Sequence, residues 1–188
     1  MAKEFGKTLS ADEVRQEWNA SVGFPDLMHR LTGSDDMERI MEVVRRDYDN
    51  PAYAKREFPF AEEALAEMRG KGYQLAILTN ATREILQLDA SSLRLNLKDF
   101  DYTQTADEGE FKKPHPRTFE QMCRYFGITA AQLLYVGDEI KDYETTVNAG
   151  SAFVGVTTGM STAEEFATRS IPYAQDIAEL AQLLPRHQ

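Results

Sequence analysis

The sequence predicts an α/β fold, a doubly wound parallel core preceded by a small helical domain, and three observations carry that prediction. Hydrophobic spacing is helical up to Phe58–Phe60 and thereafter alternates between strand-like and helix-like segments. Three short unbroken apolar runs, 75–78, 133–136 and 152–156, have the character of strands buried on both faces. The first two runs end in polar residues, Thr79–Asn80 and Gly137–Asp138, at the carboxyl edge where open parallel sheets place their ligands.

In chain order, Ser10–Glu13 has capping-box form and opens a helix over Val14–Trp18. Asp35 and Asp36 precede Met37, Ile40, Met41 and Val44 at one-face spacing. No segment before residue 58 has strand character, so 1–57 reads as a helical cap and 58–188 as the core. Ala61–Arg69 is predicted helical because Ala64, Leu65 and Met68 share a face and Gly70–Gly72 stops it. Leu75–Leu78 is the first strand and Phe100–Thr103 a candidate second. Pro116–Phe126 reads as a helix ended by Gly127, and Thr129–Gln132 as another capping box before the strand Leu133–Val136. Glu139–Asn148 follows as helix, Gly150 as its cap, Ala152–Val156 as strand and Ile177–Leu184 as a closing helix.

Composition narrows the function. The 188 residues are 42% hydrophobic, 10% aromatic and 28% charged, those of a folded globular chain, and no apolar run approaches the roughly 20 residues of a membrane span. A net charge of −10 opposes non-specific binding to nucleic acid. The single Cys123 forms no internal disulfide and rules out a cysteine zinc site, so a reducing, cytoplasmic compartment and oxygen ligands for any metal are expected. His29, His115 and His187 are unrelated in spacing, which argues against histidine ligands; His115 reads as loop packing.

At the strand ends, Thr79 and Asn80 offer a hydroxyl and backbone N–H groups to an anion, or simply cap the next helix. Asp138 and Asp142, four residues apart with Glu139 between, lie on one side of a helical first turn; they suit Mg²⁺, or equally the helix dipole. Lys113, held extended before Pro114, could reach such a cluster, although a lone lysine there is more simply solvent-exposed.

Taken in order, Leu75–Asn80, Gly109–Pro116 and Leu134–Asp142 closely resemble the second, third and fourth motifs of the haloacid dehalogenase superfamily, over about Phe58–Leu184. Phe60–Met68, Gly155–Gly159 and Ala163–Phe166 look most like its phosphoglycolate-phosphatase-like branch. The resemblance implies a Rossmann-like core under a small helical cap and Mg²⁺-dependent hydrolysis of a small phosphorylated metabolite. It assigns phosphate binding to Thr79, Asn80 and Lys113, catalytic roles to Thr79 and Lys113, and Mg²⁺ to Asp138, with Asp142 as the second acidic position.

The superfamily's first motif, an apolar strand ending in Asp-x-Asp that supplies the nucleophile, has no match ahead of the cap. Met1–Ser10 resembles the end of the helix that follows that strand, as if about 25 residues preceded it. Asp99, Asp101 and Thr103 imitate the motif, but no buried strand precedes them, so a structural role is expected. The resemblance also places the lost strand between those ending at Asn80 and Asp138, so two strand edges should lie open. Several alternatives follow: a phosphatase inactive in this form, a non-catalytic binder of Mg²⁺ or phosphate, a homo-oligomer that covers the edges, and, within the superfamily, a sugar-phosphate mutase or a dehalogenase. A dehalogenase needs no Mg²⁺ site, so the acidic fourth motif favours phosphate chemistry.

Overall fold

The structure, a computed structural model, describes residues 1–93 and 95–186, with the side chain of Tyr53 left aside. His187 therefore lies outside the described residues. These residues divide into two compact units, one of Met1–Arg56, Thr79–Leu97 and Thr105–Glu108, the other of Glu57–Leu78, Lys98–Gln104 and Gly109–Gln188. The first break falls next to the boundary that the change of hydrophobic period marks.

The first unit is helical. A short 3₁₀ turn, Ala2–Phe5, precedes α1 (Ala11–Ala20), α2 (Phe24–Thr32) and α3 (Met37–Tyr48). Of Met1–Ser10, read as a helix end, Ala2–Phe5 form a short 3₁₀ helix closed by Gly6 at φ 76°. Ser10 and Glu13 form the reciprocal capping box that opens α1. Leu27 and Met28 from α2 and Ile40, Met41 and Val44 from α3 bury their apolar faces together. Ile85 completes this core, which is why the segment after residue 79 groups with the first unit.

In chain order the rest comprises α4 (Ala61–Gly70), β1 (Ala76–Leu78), α5 (Arg83–Ser92), β2 (Tyr102–Gln104), α6 (Glu120–Phe126), β3 (Leu134–Gly137), α7 (Ile140–Ala149), β4 (Ala152–Val156), α8 (Ala163–Thr168), β5 (Tyr173–Ala174) and α9 (Ile177–Leu183). A 3₁₀ turn, Pro116–Phe119, occupies the first part of the helix expected over Pro116–Phe126. All five strands belong to the second unit, and every pairing among them is parallel, as the alternation of strands and helices requires.

The strands form two sheets among the described residues, β1–β2 and β3–β4–β5. Ala76 faces Tyr102 in the first; in the second, Leu134 faces Ala152 and Gly137 faces Gly155. β1 pairs only with β2 and β3 only with β4, so each keeps one unpaired edge. This explains a departure from expectation: Ile77, Leu78 and Leu134–Val136 are half-buried rather than buried on both faces, and Ala76 is exposed. β5, too short for periodicity to reveal, was not anticipated.

Three apolar clusters hold the second unit. Ala64 and Met68 of α4 pack with Leu180 and Ala181 of α9; Phe119, Met122 and Leu133 form a second cluster; Phe153, Phe166 and Ile171 form a third. Gly155 permits the last, because a Cβ there would lie 2.6 Å from the Phe166 ring.

Candidate active site

β3 carries the chain to its carboxyl end at Gly137, and α7 starts three residues later, so Asp138, Glu139 and Asp142 fall on one short turn. Asp142 sits in the first turn of α7 with only 4% of its side chain exposed. A buried carboxylate needs a partner, and Lys113 supplies it. Lys113 Nζ donates to Asp142 Oδ1 at 2.7 Å and to the Tyr135 hydroxyl at 2.8 Å. The lysine side chain is 12% exposed, so the solvent-exposed reading of Lys113 does not hold.

Lys113 is delivered by the loop ahead of the Pro116–Phe119 turn. His115 accepts from Arg117 N–H at 3.1 Å and stacks on Phe111, the loop-packing role expected of it. Tyr135 comes from the middle of β3 and reaches toward the Leu78 carbonyl of β1 at a longer 3.4 Å. Sequence reasoning missed Tyr135. The available signal was its hydroxyl inside an apolar run, since a buried phenol O–H takes a hydrogen-bond partner.

The charges are mutually adjusted. Burial alone would lower the pKa of Lys113, but the neighbouring Tyr135 oxygen and Asp142 outweigh it and hold the ammonium above the usual lysine range. Burial pushes the Asp142 carboxyl upward; Lys113 offsets part of this, while the Glu139 and Asp138 carboxylates push the same way as burial. Burial also drives the Tyr135 phenol up to about 12, against the pull of Lys113.

Each of the three carboxylates is held differently. Asp142 pairs with Lys113, and Glu139 pairs with Lys141 at 2.8 Å. Asp138 takes part in no ion pair among the described residues. Its Oδ2 accepts from Met160 N–H at 2.9 Å, and its carbonyl accepts from Ser161 N–H at 2.9 Å. Gly137 and Gly159 make room for the aspartates: a Cβ on Gly137 would lie 2.6 Å from Asp142 Oδ2, and one on Gly159 would lie 2.0 Å from Asp138 Oδ2.

This donor set fits a hydrated Mg²⁺ rather than a tightly caged metal. Among the described residues no three His, Cys, Asp or Glu side chains gather as a ready-made cage. Mg²⁺ uses one or two carboxylates and keeps several waters, and Asp138 offers a hard oxygen that no lysine or arginine among the described residues neutralises. Two surface hollows lie elsewhere, one of about 300 Å³ lined by Phe60, Glu67 and Gln182 and one of about 210 Å³ lined by Val44, Tyr48 and Lys55. Neither contains a candidate site residue, so the buried charge cluster marks the site better than concavity does.

Thr79 and Asn80 follow β1 in the chain and belong to the first unit. There, Thr79 Oγ1 accepts from Ala81 N–H at 3.0 Å, and Thr82 rather than Thr79 or Asn80 caps α5. The capping alternative for the pair is therefore set aside by the geometry. Asp101 has the structural role expected of it: its Oδ2 accepts from Leu75 N–H at 2.7 Å, and its own N–H donates to the Leu75 carbonyl at 2.8 Å. It stands at the amino end of its strand, whereas Asp138 stands at the carboxyl end of β3.

The family model for haloacid dehalogenase-like hydrolases matches residues 1–156. The phosphoglycolate phosphatase of Nitrosospira multiformis is 32% identical over 160 residues, covering 80% of this chain and 70% of its own length. That of Neisseria gonorrhoeae is 33% identical over 170 residues, covering 85% and 70%. The chain spans as little as 60% of other curated relatives. A crystal structure of a predicted phosphoglycolate phosphatase from Haemophilus somnus 129PT superposes with a TM-score of 0.79 at 22% identity, covering 96% of this chain and 85% of that one, which shows a shared fold. No helix of the described residues is long and apolar enough to cross a membrane.

Proposed function

This chain belongs to the haloacid dehalogenase-like hydrolase family, and we propose that within it the protein serves Mg²⁺-dependent hydrolysis of a small phosphorylated metabolite. The observation that carries the reading is the division of labour at the end of β3. Lys113 is buried and fixed by Asp142 and Tyr135, while Asp138 has no cationic partner among the described residues. The names of the relatives, phosphoglycolate phosphatases, support phosphomonoesters as the substrate class.

In this reading Asp138 holds Mg²⁺, with Asp142 as the second acidic position. Bound Mg²⁺ would draw charge from the phosphoryl oxygens. Lys113 supplies a fixed ammonium to the same oxygens, and fixed charge of this kind is the main resource of phosphoryl transfer. Asp142 and Tyr135 hold that ammonium protonated and in place. Phosphate contacts from the Thr79 hydroxyl and the Asn80 backbone N–H rest on the motif resemblance, since both residues belong to the first unit. A lone buried Cys123 is in keeping with a cytoplasmic setting.

Covalent transfer also needs a carboxylate nucleophile, and Asp101, bonded to Leu75 at an amino strand end, is not placed as one. A second reading therefore has an observation of its own: the unpaired edges of β1 and β3 are where an added strand, from a second copy in a homo-oligomer, would pair. The test is hydrolysis of p-nitrophenyl phosphate and 2-phosphoglycolate by the purified chain with and without Mg²⁺, with Asp138→Asn prepared in parallel. Turnover lost in that variant supports a phosphatase. Saturable Mg²⁺ and phosphate binding without turnover supports a non-catalytic binder. Neither binding nor turnover contradicts both.

A further inference from the structure

We infer that the loop joining β4 to α8 is the positioning element for Asp138, and that Gly159 is the residue that lets it act. The inference rests on the reading of Asp138 as the cation-holding carboxylate. Two successive backbone N–H groups grip the same aspartate at both its ends: Met160 N–H donates to Oδ2 and Ser161 N–H to the main-chain carbonyl, each at 2.9 Å. A carboxylate fixed through one oxygen and through its own backbone has little freedom left to rotate. Its remaining lone pairs then point in one direction, which is what a cation with strict octahedral demands requires.

The grip depends on close approach. A Cβ at Gly159 would lie 2.0 Å from Asp138 Oδ2, 2.5 Å from Cγ and 2.6 Å from Cβ. Its φ is not left-handed, so the need for glycine here is space rather than backbone conformation. The loop cannot simply swing aside, because both flanks are tied. Thr157 donates through N–H to the Ala174 carbonyl at 3.3 Å and through Oγ1 to the Gln175 carbonyl at 3.0 Å. At the other flank Thr162 and Glu165 form the capping box of α8. Any side chain at 159 must therefore displace the aspartate rather than the loop.

Gly159 and Met160 are positioning residues, acting through Asp138. The test is calorimetric titration of the full chain with MgCl₂ for wild type, Gly159→Ala and Asp138→Asn, alongside the melting temperature of each. Gly159→Ala is expected to weaken Mg²⁺ affinity roughly 10- to 100-fold, the usual range for a lost supporting contact. A second measurement is independent of how Gly159→Ala folds: the Met160 amide resonance of the wild type should shift on adding Mg²⁺ and stay fixed in Asp138→Asn. If Asp138→Asn loses Mg²⁺ while Gly159→Ala retains wild-type affinity, or while the wild-type Met160 amide does not move, the positioning role is overturned and the site reading stands. If wild type shows no saturable Mg²⁺ binding, or Asp138→Asn binds as wild type does, the site reading itself is overturned.

Discussion

Lys113 Nζ lies 2.7 Å from Asp142 Oδ1, and the two side chains are 12% and 4% exposed. An ion pair this buried contributes little net stability against an apolar pair of the same shape, yet removing one partner strands a charge in a poor solvent. Its value here is positional: it fixes a cation beside the turn that carries Asp138.

Lys113→Met is accordingly expected to destabilise the fold by about 3–5 kcal/mol, since Asp142 would stay buried without its partner. The double variant Lys113→Met with Asp142→Leu should recover much of that loss. Urea denaturation of the two variants checks the coupling; equal losses in both would mean that the pair is not the source.

Tyr135 predicts an alkaline limit. Its pKa rises from an ordinary 10.0 to about 12 in the fold, so the folded chain holds the phenolic proton more tightly than the unfolded one. The stability linked to that proton is complete below pH 10 and is lost as pH climbs toward 12. Two pKa units correspond to about 2–3 kcal/mol. The stability gap between wild type and Tyr135→Phe should narrow by an amount of that order between pH 9 and pH 12. A gap independent of pH would show that the phenol does not titrate as its burial requires.

Gly137→Ala places a Cβ 2.6 Å from Asp142 Oδ2 and 2.9 Å from Asp142 Cβ. Relief requires moving a buried, ion-paired aspartate, and overpacking of this kind costs about 1–3 kcal/mol. A thermal melt should show a clear drop, whereas Gly127→Ala, which meets no atom within 4 Å, should show only the strain of its left-handed φ of 67°.

Much of this was legible in the chain. The capping boxes at Ser10 and Thr129 and the glycine stops at Gly127 and Gly150 mark helix and turn boundaries through local chemistry that does not depend on the rest of the fold. The capping box at Thr162 was not read, because the six helical residues of α8 give too short a period. Lys113 illustrates the limit from the other side. Its place before Pro114 singles it out from Lys112 but not its burial, which is decided by Asp142 and Tyr135, 29 and 22 residues away. The close packing at Gly159 is not legible either, since the atom it must avoid belongs to Asp138, just past the end of β3. The separate sheets follow from a pairing partner rather than from propensity, which periodicity within β1 or β3 does not encode.

The central claim, that Asp138 and Lys113 form a paired cation and phosphate site, is tested most directly by titrating the chain with phosphate or orthovanadate in the presence and absence of Mg²⁺. Wild type should bind the anion more tightly with Mg²⁺ present, Asp138→Asn should lose that enhancement, and Lys113→Ala should weaken anion binding under both conditions. Affinities unchanged in both variants would contradict the account.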